Sequence, residues 1–102
     1  MDATIEKIQA QMAQHAILLY MKGDPDNPQC GFSAKAVQVL DACDCPYATV
    51  DVLSNPDIRQ TLPKYSNWPT FPQLYIKGEL VGGSDIMAEL YEQGDLQKML
   101  EE

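Results

Sequence analysis

Ile5, Ile8 and Met12 recur at the i, i+3, i+7 spacing of one helix face, so the chain opens with an amphipathic helix. Ala16 to Met21 is a short, wholly apolar run and reads as a buried strand. KGDPDNPQ, residues 22–29, reads as a polar loop on its two prolines and glycine. Ala36, Val37 and Leu40 share one face of a second helix, and Tyr47–Val52 reads as a strand. Asn55-Pro56 is a helix start, a capping residue followed by proline at the first helical position. Ile58, Leu62 and Tyr65 then give the apolar face of a third helix. Two further strands, Gln73–Lys77 and Leu80–Val81, flank Gly78 as a tight hairpin. Gly82-Gly83 leads into a helix from about Asp85, Gly94 ends it, and Asp95 caps a last short helix.

The order is therefore α-β-α-β-α-β-β-α-α. Strands joined through a helix run parallel, and a hairpin is antiparallel by necessity. The pattern predicts an α/β domain over residues 1–102, a four-stranded mixed sheet flanked by helices on both faces. That is the thioredoxin-like arrangement.

Composition narrows the function classes. Hydrophobic residues make up 45% of the 102, an ordinary globular share. The longest apolar run falls far short of the ~20 residues needed to span a bilayer. No basic segment followed by an apolar stretch opens the chain, so the cytosol is the default compartment. The net charge of −8, from 15 acidic and 7 basic residues, makes nucleic acid and anionic membranes poor partners. Three cysteines, an odd number without an export signal, argue for reduced thiols.

Cys30 carries the candidate chemistry. It stands where the polar loop meets the second helix, at unpaired backbone N–H groups and the positive end of the helix dipole. Both favour thiolate over thiol. An inert, core-filling cysteine is the plain alternative, but the polar loop before Cys30 and the glycine after it favour a reactive role. Ser33, where a dithiol motif would carry its second cysteine, cannot resolve a disulfide and reads as a first-turn hydroxyl satisfying a local backbone group. Cys43 lies ~20 Å further along the same predicted helix at 1.5 Å per residue, and Cys45 shares that problem. A disulfide needs Cα atoms within about 7 Å, so neither reaches Cys30. Cys43-Asp44-Cys45 lacks a nearby histidine or further cysteine to complete a metal site and reads as structural or incidental. His15 reads as a loop or edge residue.

CGFS at 30–33, WPTFP at 68–72 and GGSD at 82–85, in that order, resemble the monothiol, CGFS-type glutaredoxins over essentially the whole chain. The chain is most similar to the short, single-domain bacterial type, and the interval from Lys22 to Cys30 looks like that class's lengthened loop. The resemblance implies a glutathione site. Lys22 resembles the lysine that approaches the active-site sulfur and a glutathione carboxylate. Arg59 and Lys64 look like the third-helix cations that hold the glycyl carboxylate, although by themselves they read as a solvated helix face. Phe71 matches the position whose backbone pairs with the glutathione cysteine, and Pro72 matches the family's cis-proline. Ser84 and Asp85 look like receptors of the γ-glutamyl end, N–H groups for its carboxylate and Asp85 for its ammonium. Trp68 and Tyr65 read as packing residues. Ser84 departs from members that carry a cysteine there, which puts an intramolecular disulfide cycle in doubt.

A 2Fe-2S cluster typically takes four thiolates. With one suitable cysteine per chain, and one more sulfur from a bound glutathione, two units supply four. The expectation is thus a cluster bridging a homodimer, with Cys30 as the metal ligand and transfer to iron–sulfur acceptor proteins. BolA-type proteins are the alternative partner that the resemblance implies. A glutathione-dependent thiol–disulfide oxidoreductase, acting through the same residues, is the rival expectation.

Overall fold

The structure is a computed structural model and describes residues 2–101. Helix α1 (Ala3–Gln14) starts at Asp2, whose carboxylate accepts from the Thr4 N–H at 2.8 Å. Strand β1 (Ile17–Met21) follows, its apolar run explained by burial on both sides. Leu18 and Tyr20 point into one core, and Leu19 and Met21 into the other.

The segment read as an irregular loop holds two short antiparallel strands, β2 (Gly23–Asp24) and β3 (Asn27–Pro28). Asp24 Oδ1 accepts from the Asp26 and Asn27 N–H groups, both at 2.9 Å, and so closes the turn between them. Gly23 adopts φ +87°, and a Cβ there would lie 2.5 Å from the Asn27 carbonyl oxygen, so glycine is required. Proline and paired aspartates disguised this hairpin as loop.

The remaining elements are α2 (Gly31–Ala42), β4 (Ala48–Asp51), α3 (Pro56–Ser66), β5 (Gln73–Ile76), β6 (Glu79–Gly82), α4 (Ser84–Glu92) and α5 (Asp95–Glu101). Asn55 precedes α3 as expected but makes no capping bond; its Nδ2 donates to the Asp51 carbonyl at 2.9 Å. Helix α3 runs on past Pro63 and ends where Asn67 turns left-handed at φ 55°.

The main sheet has the order β4-β1-β5-β6. β4 pairs parallel with β1, while β5 pairs antiparallel with both β1 and β6. Ile8 and Met12 of α1 and Ile58 and Leu62 of α3 bury against one face. Ala36, Val37 and Leu40 of α2, Met87 of α4 and Leu96 of α5 bury against the other. The predicted mixed sheet with helices on both faces is the architecture found. Tyr65 keeps the third helix's apolar face but, in its last turn, stays 42% exposed. Among the described residues no helix is long and apolar enough to cross a membrane.

Gln73 is the fully buried polar side chain of the central sheet. Its Nε2 donates to the Trp68 and Thr70 carbonyls at 3.0 and 3.1 Å, and its Oε1 accepts from Tyr75 Oη at 2.8 Å. It thereby fastens the 68–72 turn to β5. Gln73→Leu strands these partners, so it should lower the unfolding free energy by about 1–3 kcal/mol. Urea denaturation at unchanged m-value measures this; a midpoint at or above wild type would show that the bonds add no net stability.

Candidate functional site

One cleft of about 630 Å³ opens where β1 ends, where the 68–72 turn leads into β5, and where the helices α2 and α4 begin. Lys22, Cys30, Arg59, Phe71, Pro72, Ser84 and Asp85 all line it. Cys30 is the N-cap of α2, with extended backbone (φ −156°, ψ 138°). The Ala34 N–H donates to its carbonyl at 2.9 Å, which leaves the first-turn N–H groups free for its sulfur. The Ser33 N–H is the chief cause holding the Cys30 thiol below its ordinary value; burial opposes it, and the Phe32 N–H and Lys22 ammonium reinforce it.

Ser33 is fully buried, and the group it satisfies is less local than expected. Its Oγ accepts from the Lys22 N–H at 3.1 Å, tying the end of β1 to the first turn of α2. The Lys22 carbonyl accepts from the Gln29 N–H at 2.9 Å. The next N–H, that of Gly23, donates to Asp51 Oδ1 at 2.9 Å. Asp51 also accepts from the Leu53 N–H on Oδ1 and from the Ser54 hydroxyl on Oδ2, each at 2.9 Å. Burial pushes the Asp51 carboxyl up, but the Gly23 and Leu53 N–H groups outweigh it and hold the carboxyl below its usual range. Sequence reading missed Asp51, since an aspartate at a strand end carries no signal of what it will meet.

Arg59 and Pro63, one turn apart on α3, line the opposite wall. Lys64 is exposed in the last turn of that helix and does not line the cleft. A helix advances about 100° per residue, so Arg59 and Pro63 share a face that Lys64 leaves. Phe71 is 9% exposed, and the Phe71-Pro72 peptide bond is cis, as the resemblance implied.

Ser84, Asp85 and Ile86 bring the unpaired N–H groups of the first turn of α4 to the cleft. The N-cap Gly83 lets that helix abut the wall: a Cβ there would sit 3.3 Å from the Pro72 carbonyl oxygen. The Ser84 side chain is buried, whereas that of Asp85 is 81% exposed and lies 3.5 Å from Lys35 Nζ. Lys35 does not line the cleft, and its approach to Asp85 is invisible in the sequence, because only packing brings α2 beside α4. Trp68, expected to serve packing alone, is half-buried and also lines the cleft; its indole Nε1 is buried without a partner. Its place in the WPTFP segment was the available signal. Phe32, 61% exposed, stands at the rim beside Cys30.

Cys43 is the C-cap of α2, and Cys45 lies beyond it, so a twelve-residue helix, ~18 Å long, separates both from Cys30. His15 is exposed at the end of α1. Among the described residues no group of three or more His, Cys, Asp or Glu side chains converges as a metal site. The donor set of the cleft is one sulfur, two cations and a helix N-terminus. It suits an elongated thiol ligand with carboxylates at both ends.

Fold and cleft together define a thiol protein of the thioredoxin-like class. The family profile described as glutaredoxin matches residues 17–81. Glutaredoxin 4 of Escherichia coli (strain K12) is 63% identical over 102 residues, covering 100% of this chain and 89% of its own. The probable monothiol glutaredoxin GrlA of Legionella pneumophila is 66% identical over 83 residues, covering 81% of this chain and 93% of its own. The solution structure of reduced poplar apo GrxS14 superposes with a TM-score of 0.84 at 46% identity, over 97% of this chain and 91% of that one. The chain belongs to the glutaredoxin family, on its monothiol branch, whose members use glutathione.

The thiolate is the form that alkylates, so the rate at Cys30 should rise with pH to a plateau, with its midpoint below that of a free cysteine. Lys22→Ala should move the midpoint up while leaving the larger backbone N–H effect in place. Asp51→Ala should act in the same direction by releasing the Gly23 N–H next to Lys22. Iodoacetamide kinetics on the three proteins test this; an unmoved midpoint in Lys22→Ala would show that its ammonium does not act on the sulfur.

Proposed function

We propose that this protein binds glutathione in the cleft and, with Cys30 and that glutathione, holds a 2Fe-2S cluster between two copies for delivery to iron–sulfur acceptor proteins. The observation that carries this reading is the lone sulfur. Cys30 is the cysteine that lines the cleft, and a twelve-residue helix keeps Cys43 and Cys45 away from it. Four thiolates are needed, and two Cys30 side chains with two glutathione thiols supply them. Arg59 and Lys22 offer positive charge to one carboxylate, and the first turn of α4 offers N–H groups to the other. Asp85 then faces the ammonium, in competition with Lys35. Lys64, on the exposed flank of α3, acts at most at longer range. The cluster is cargo in this reading: half of its thiolates diffuse freely, which suits release. The setting is the cytosol, where thiols stay reduced. A BolA-type protein in place of the second copy is the alternative pairing.

A second reading, removal of glutathione from protein thiols, is supported by the same thiolate. Cys30 would attack the glutathione sulfur of a mixed disulfide, expel the protein thiolate and be released by a second glutathione. We rank it lower, since the interval from Lys22 to Cys30 looks like the lengthened loop of the monothiol class rather than the shorter one of dithiol members. Turnover in a glutathione–disulfide exchange assay should be weak; a rate matching a dithiol glutaredoxin run alongside would reverse the ranking.

Anaerobic reconstitution with iron, sulfide and glutathione, followed by visible absorbance and sizing, tests the leading reading. The coloured species should be a dimer that needs glutathione. Cys30→Ser should abolish it, and the Cys43→Ser, Cys45→Ser double variant should keep it; the reverse pattern would assign the wrong ligand.

Asp85→Ala and Arg59→Ala should each weaken glutathione capture by about tenfold, exposure keeping the loss at that scale. The cluster should leave faster from both variants, and excess glutathione should slow the loss. Half-lives equal to wild type in both, at limiting glutathione, would refute the proposed pose.

A further inference from the structure

The cleft leaves two of the three thiols unused. Cys43 and Cys45 sit together at the opposite end of α2, both free and both half-buried. Cys43 closes the helix, its N–H bonded to the Leu40 and Val39 carbonyls at 3.1 and 3.2 Å. The residue between them, Asp44, is exposed and takes the left-handed conformation, φ 55°. That is the C′ position where helices commonly reverse, usually with glycine. The bend has a chemical consequence. Two consecutive 3.8 Å Cα steps, folded at Asp44, bring the Cα atoms of Cys43 and Cys45 closer than the roughly 7 Å of an extended span. This falls within the range a disulfide needs.

The surroundings distinguish the two sulfurs. Cys43 packs against the core formed by α2, α4 and α5, whereas Cys45 is outside that cluster. Burial pushes both thiols up, and each is further raised by a nearby negative group, Cys45 acting on Cys43 and Asp44 acting on Cys45. A cysteine serving only as a gap-filler needs no second sulfur beside it.

We propose that Cys43 and Cys45 form a second thiol–disulfide site, independent of the cleft, which closes to an intramolecular disulfide against a low-molecular-weight disulfide such as glutathione disulfide. The Cys45 thiolate attacks one sulfur of glutathione disulfide, forming a Cys45–glutathione bond and releasing one glutathione thiolate. The Cys43 thiolate then attacks the Cys45 sulfur, forming the Cys43–Cys45 bond and releasing the second glutathione. Two protein thiols are oxidised, one disulfide is reduced to two glutathione molecules, and the two thiol protons pass to solvent and the released thiolates. A ring closed over one intervening residue is strained, and strained disulfides are the labile ones, so glutathione reopens it. Raised thiols attack slowly at neutral pH, which makes the equilibrium, rather than the rate, the quantity to measure.

The full chain carrying Cys30→Ser, equilibrated in glutathione buffers of increasing disulfide fraction, acid-quenched and alkylated, gives the test by intact mass. The expected result is loss of two hydrogens and of both alkylatable thiols, reversed by excess glutathione. Adding Cys43→Ser should instead trap a stable glutathione adduct on Cys45. Peptide mapping of wild type under the same conditions should find the Cys43–Cys45 link whatever becomes of Cys30. Two thiols that stay alkylatable at every ratio, stable glutathione adducts on the Cys30→Ser protein, or disulfide-linked dimers would each overturn the proposal.

Discussion

The hydrogen bond from the Lys22 N–H to the buried Ser33 hydroxyl joins the end of the central strand to the first turn of α2, and the cleft is assembled around that joint. With the Lys22 carbonyl held by the Gln29 N–H and the next N–H held by Asp51, the backbone on both sides of Lys22 is fixed. The side chain can then act on a sulfur whose own position is set by the same helix turn. A second cysteine at position 33 would be a poor substitute, because a thiol is a weak acceptor for the Lys22 N–H. The hydroxyl that replaces a resolving thiol therefore has a structural task of its own.

Two helix N-termini do most of the electrostatic work in a protein of net charge −8. At α2 the free N–H groups favour thiolate; at α4 they are available to a carboxylate. Short-range, fixed dipoles of this kind act where the summed acidic surface does not reach, so overall charge is a poor guide to the ligand. The cations that matter are those the fold turns inward. Arg59 shares a helix face with Pro63 and faces the cleft, while Lys64, the next residue along, does not line it.

Asp51 and Gln73 show how the fold protects the geometry of the site. Asp51 collects three donors from two separate segments and so holds the β2–β3 hairpin against the end of β4. Gln73, with no access to solvent, fastens the turn carrying Trp68 and Phe71 to the central sheet. Both are side chains whose bonding partners lie in other segments or across a turn.

The sequence alone determined the helices and strands of the main sheet, because a 3.6 or a period-2 pattern is a local property. Ile8 and Met12, the doubly buried Leu18–Met21 run, and the glycine-marked hairpin at Gly78 were legible for that reason. It also gave Cys30 as the chemical centre, since a cysteine at a helix start carries its cause in its neighbours. What only the tertiary structure decided were contacts between segments distant in the chain. These are the Lys35–Asp85 approach across α2 and α4, the Asp51 cradle, the exclusion of Lys64 from the cleft, and the inclusion of Trp68. Periodicity places a residue on its own helix, but which face meets a neighbour is settled when the helices pack on the sheet, and the site is made of those meetings.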